Sequence, residues 1–114
     1  VVVGEATCAA ARGIAFRELG RVRVKGKAEP VAIFEPLGAA ATLPAARHEE
    51  LALWQHALAA YRAQNWPEAE LILFELNRLC PGTPLYSYYR ERVSRYRSEP
   101  PGALWDGVDD FETK

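Results

Sequence analysis

Hydrophobic and polar positions follow two different periods along the chain. Over residues 21–25, Arg21-Val22-Arg23-Val24-Lys25 alternates charged and apolar, the period of a half-buried strand. A second short apolar run, Val31-Ala32-Ile33-Phe34, follows a turn that begins at Gly26-Lys27 and ends at Pro30. Residues 16–38 therefore predict a strand pair, which in water needs more sheet than itself to be stable. Before it, Val1-Val2-Val3 reads as a buried strand and residues 8–12 as a short alanine-rich helix, capped by Thr7 and stopped at Gly13. The predicted order is strand, helix, strand, strand.

From Arg47 the period becomes helical. Leu51, Trp54, Ala57, Leu58 and Tyr61 recur at spacings of three and four, with Glu49 and Glu50 in the first turn. Gln64 and Asn65 close this helix, and Trp66-Pro67 open a second. Its apolar side is Ala69, Ile72, Leu73, Leu76 and Leu79, with Phe74 beside them. Thr83-Pro84 starts a third, with Leu85, Tyr88, Tyr89, Arg92, Val93 and Tyr96 aligned. Pro100-Pro101 ends it. An acidic tail follows, with Trp105, Val108 and Phe111 as anchors and Asp106, Asp109, Asp110 and Glu112 facing the arginines of the third helix. The chain divides into residues 1–38, a small-residue linker at 39–46, helices over 47–98 and a tail at 99–114.

Composition changes this picture little. The chain has 114 residues, 49% hydrophobic and 25% charged, which is ordinary globular usage. A net charge of −1 gives no argument for nucleic-acid binding, and no apolar run approaches the ~20 residues of a membrane helix. The valine start is not the charged opening of a signal peptide. Without an initiator methionine, it is read as a piece cut from a longer protein. Two isolated cysteines, Cys8 and Cys80, fit reduced thiols of a cytoplasmic protein better than a disulfide framework.

The stretch FRELGRVRVKGKAEPVAIFEPLG at 16–38 resembles the C-terminal end of class III nucleotide cyclase catalytic domains. Its sharpest part is Val24-Lys25-Gly26-Lys27, then Pro30-Val31 and Glu35. VVVGEATCAAARG looks like the strand and short helix that precede it there. The resemblance covers about the first third of the chain. It implies a parent enzyme that converts ATP or GTP to a cyclic nucleotide, works as a homodimer and uses Mg²⁺ or Mn²⁺. The metal-binding aspartates, the transition-state groups and the base-selecting residues would all lie upstream of Val1. Only Lys25 carries over, as a point charge on the triphosphate in the intact enzyme. No catalytic residue, metal ligand or cofactor is expected within this chain itself. Its expected partner is the remainder of the catalytic domain.

Tyr61, Asn65-Trp66-Pro67-Glu68-Ala69, Phe74 and Pro81 resemble one tetratricopeptide repeat, a helix pair of about 34 residues. The resemblance implies a close helix crossing at Ala69, filled by Tyr61 and Phe74. Stable solenoids need about three such repeats, so this one must lean on something else. With the Trp105-Asp106-Gly107-Val108 tail, the arrangement is similar to the C-terminus of bacterial membrane-bound sensor cyclases. Such a parent is anchored in the inner membrane with its catalytic part cytoplasmic. This segment itself would touch neither membrane nor nucleic acid.

Other chemistry is thin. Arg21, Arg23, Lys25 and Lys27 make a basic stripe without interleaved aromatics, a solvated sheet face rather than a nucleic-acid site. His48 and His56 lack a third ligand for a metal. The expected fold is α+β: a β-α-β-β cyclase fragment packed with a three-helix, tetratricopeptide-like segment. Two rival functions stand beside it. One is a peptide-binding module with a groove lined by Trp54, Tyr61 or Tyr88; the other is a structural cap in which those aromatics are buried.

Overall fold

The structure, a computed structural model, describes residues 2–23 and 29–108. The predicted turn at Gly26-Lys27, Lys25 itself and the tail residues Asp109, Asp110, Phe111 and Glu112 lie outside the described residues. The fold is α+β and forms two compact units. One comprises Val1–Pro44 with Asp106–Lys114; the other is Ala45–Trp105.

The first unit holds β1 (Val3–Gly4), α1 (Glu5–Ala10), β2 (Ile14–Val22) and β3 (Val31–Ala39), followed by a short 3₁₀ turn (Ala40–Thr42). The sheet is antiparallel, with β3 in the middle between β1 and β2. β2 and β3 pair over their whole length, from Ile14 opposite Ala39 to Val22 opposite Val31. Irregularities interrupt the register at Ala15/Phe16 and again between Glu18 and Gly20. Gly20 sits there at φ 146°, a backbone conformation that favours glycine. β2 starts two residues before the expected Phe16, and the alternation at 21–25 overlaps only its last two residues, Arg21 and Val22; β3 starts at Val31, where the apolar run places it, and runs on to Ala39. The first helix departs from expectation: it starts at Glu5, with Gly4 as its cap position and no side-chain cap bond, so Thr7 lies inside it. The opening strand is likewise shorter than the valine run. Among the described residues of this unit no apolar side chain is fully buried; only Arg17, Gly20 and Gly107 are.

The second unit contains α2 (Ala45–Arg62), α3 (Trp66–Leu79) and α4 (Pro84–Ser98), each packed on the next in sequence. α2 is rich in alanine and leucine and lacks β-branched residues, glycine and proline. It ends where Gln64 adopts φ 59°, with the Asn65 and Gln64 amides donating to the Ala60 and Tyr61 carbonyls at 2.8 and 3.1 Å. This reciprocal closure is the Schellman arrangement, here built on a non-glycine residue. The same Asn65 then caps α3, its side chain accepting from the Glu68 amide, with Pro67 in the first turn. Thr83 precedes Pro84 at the start of α4 but makes no side-chain cap bond.

Every fully buried large apolar side chain in the described chain belongs to this unit, from Trp54 to Val93. Ala69 is completely buried and Tyr61 is 1% exposed. Two expectations fail. Phe74 is 54% exposed and fills no interhelical space, and Leu79 at the end of the same helix is 49% exposed. Phe74 lies next to the buried Leu73 in sequence, which on a helix turns it about 100° away from the core. In its place Tyr86, outside the expected face of α4, is fully buried. Its ring packs 5.2 Å from that of Trp54.

Candidate functional site

The residues with chemical potential fall into two groups, one on each unit. On the sheet, Arg17 and Glu35 are cross-strand partners and close an ion pair at 2.7 Å, with the Arg17 Nε also donating at 3.0 Å. This pair is half sheltered from water, where such contacts act as register pins between strands. Further along the chain, Arg21 near the end of β2 and Arg23 just past it reach the tail. Arg21 donates to the Asp106 carbonyl at 3.3 Å, and Arg23 donates to Asp106 Oδ2 at 2.7 Å. Asp106 Oδ1 accepts from the amide of Val108 at 3.2 Å, and Val108 forms a parallel bridge opposite Arg21. The hydrogen bond from Arg23, with help from the Val108 amide and against slight desolvation, holds the Asp106 carboxyl below the usual carboxylate range.

Half of the basic stripe thus contacts the tail while Arg23 stays exposed to water; Lys25 and Lys27 lie outside the described residues. The tail was expected to bring Asp106 or Asp109 to the arginines of the third helix; Asp106 is engaged by Arg23, and Asp109 lies outside the described residues. Arg92 is buried and donates to the hydroxyls of Tyr61, Tyr88 and Tyr96 at 3.0, 3.2 and 2.6 Å. Arg97 pairs with Glu70, and Arg90 lies over the Phe74 ring at 5.7 Å. Alternating charge on β2 offered Arg21 and Arg23 as partners for the acidic tail, but the helix arginines were the nearer choice in sequence.

On the helices, the second group is an aromatic and polar core. Trp105 docks on it, with ring centroids 5.1 Å from Tyr61, 5.4 Å from Tyr96 and 5.7 Å from Trp66. Gln64 secures the segment just before it by donating to the Gly102 carbonyl at 2.6 Å. Glu50 is buried as well, accepting from the Tyr86 hydroxyl at 2.5 Å and from Arg47 at 2.8 Å. Nothing in the local pattern marks Glu50 as buried; only its place three residues after Arg47 hints at the ion pair. Trp54 and Tyr61 are 1% exposed and Tyr88 is half-buried, so the aromatics expected of a peptide groove are largely committed to the core.

A shallow depression of about 330 Å³ on α4, lined by Ser87, Arg90, Glu91 and Ser94, holds no convergent set of catalytic groups. No three His, Cys, Asp or Glu side chains come together as metal ligands among the described residues. His48 and His56 are exposed. No helix of the described chain is long and apolar enough to cross a membrane. Compared with known proteins, the chain matches no family model, no curated protein and no solved structure.

Proposed function

We propose that this chain is the C-terminal portion of a class III nucleotide cyclase, inactive alone, in which the helices support or regulate the catalytic dimer. The observation that carries the reading is the β-α-β-β order, with the cyclase-like stretch lying on the paired strands β2 and β3. A second observation agrees with it. The sheet buries no apolar side chain fully among its described residues, as expected of a layer whose other half is supplied by the rest of a domain.

In this reading Lys25, at the end of the β2 pattern, contacts the triphosphate in the intact enzyme. The divalent metals belong to upstream carboxylates. No three His, Cys, Asp or Glu side chains gather as ligands for them among the described residues. The helical unit is read as a single tetratricopeptide-like pair plus one helix. Burial of Tyr61 and Ala69 agrees with such a crossing, while exposure of Phe74 departs from it. The parent is placed at the inner membrane with this portion in the cytoplasm, and its partner is a second catalytic domain.

The reading is tested in the intact gene product. The coding sequence upstream of Val1 should supply a Gly-Asp-x-Val-Asn-like stretch and an arginine ahead of it. In that enzyme Lys25→Ala should lower kcat/KM for the nucleoside triphosphate roughly tenfold, through KM more than through folding. An upstream sequence without paired metal-binding aspartates, or a Lys25→Ala enzyme with unchanged kinetics, overturns it.

A further inference from the structure

α3 carries three of the six exposed large apolar side chains of the described chain, Leu71, Phe74 and Leu79. On a helix Glu70, Leu71, Phe74 and Arg78 share one face, because they recur at spacings of three and four. Leu71 is 66% exposed and Phe74 54%, so this face is an apolar stripe open to solvent. Its charges are arranged about Phe74: Glu70 lies four residues before it and Arg78 four residues after.

We propose that this face is the seat of a two-fold contact between two copies of the chain, with α3 packed antiparallel on α3 and Phe74 at the axis. The charge pattern selects the occupant. An antiparallel copy brings Glu70 opposite Arg78 of the second copy, and Arg78 opposite its Glu70, which makes the patch self-complementary as a two-fold interface requires. A parallel copy sets like charge against like and is disfavoured.

The present partners of these charges do not obstruct the exchange. Arg78 pairs with Glu75 and Glu70 with Arg97, all with side chains at least 40% exposed. Exposed pairs of this kind are readily traded for others. Arg90 covers one face of the Phe74 ring from α4. The other face is where the ring of the second copy stacks. One helix face is a small interface, so the association is weak, on the order of micromolar. The inference does not depend on the cyclase reading.

Sedimentation of the full chain from about 1 to 500 µM tests it across the range a weak dimer requires. The expected result is a reversible monomer–dimer equilibrium. Phe74→Asp should raise its Kd about tenfold or more. Glu70→Arg and Arg78→Glu should each weaken it, and the double variant carrying both should restore it toward the wild-type value. Circular dichroism checks that each variant keeps its helices, as exposed positions should. A chain that stays monomeric throughout overturns the proposal. So does an association that Phe74→Asp leaves unchanged, or a double variant no better than the two single ones.

Discussion

Ala69 and Phe74 lie five residues apart on α3 and carry opposite consequences. Ala69 is completely enclosed, so Ala69→Leu forces extra methylenes into filled space and should cost roughly 1–3 kcal/mol, read as a fall in Tm. Phe74, half in water, leaves no cavity when truncated. Phe74→Ala should cost less than about 1 kcal/mol, chiefly the loss of its contact with Arg90. A large fall in Tm for Phe74→Ala at low protein concentration would contradict this assignment. Residue type alone misleads here. Phenylalanine was expected inside, yet Phe74 is exposed, while Glu50, placed only in a helix turn by the pattern, is buried against Tyr86 and Arg47. Only the tertiary partner, thirty-six residues away for Glu50, decides the matter.

At the scale of the element, the tail is the segment whose behaviour is most open to measurement. Trp105 packs against three rings, so its emission should be blue-shifted, and Trp105→Ala should remove that component from the signal it shares with Trp54 and Trp66. Amides over 104–108 should exchange more slowly than random coil. Beyond Trp105, Asp106 ties the tail to β2 through Arg23. Its carboxyl is held low in the folded chain, so the contact stabilises above the ordinary carboxylate range and is lost as pH falls through the lowered value. Acidification, or high salt at neutral pH, should therefore speed exchange at Val108 before it affects the helices.

The helices and strands were legible because their periods are local. Prolines at 67 and 84 marked two starts, and the apolar run from Val31 marked the start of β3, while the alternation from Arg21 caught only the end of β2. Tyr86 was also legible, three residues before Tyr89 and seven before Val93, but a face built from Leu85 and Tyr88 passed it by. The pairing of Asp106 with Arg23 was not legible, since no local rule links residues 83 positions apart.

For the whole molecule, the uneven placement of the core sets the order of unfolding. The helical unit owns every fully buried large apolar side chain described, and the sheet unit has none. Local stability follows buried apolar contact. Native-state hydrogen exchange should show β2 and β3 opening at lower free energy than α2, α3 and α4. Strand amides protected to the same degree as those of Leu73 and Leu76 would show one cooperative block instead.

The joint between α2 and α3 carries a consequence for how such a chain can change over generations. Gln64 closes one helix and Asn65 both completes that closure and caps the next, so no residue is left over. A codon inserted or deleted there would break two terminations at once and rotate α3 by about 100° relative to its neighbours. A point change at Gln64 is milder; glycine suits the left-handed backbone there, though it forfeits the bond to Gly102. The joint can thus drift in spelling but not in length. Among descendants of this chain, gaps should accumulate elsewhere while the count of residues between Tyr61 and Trp66 stays fixed.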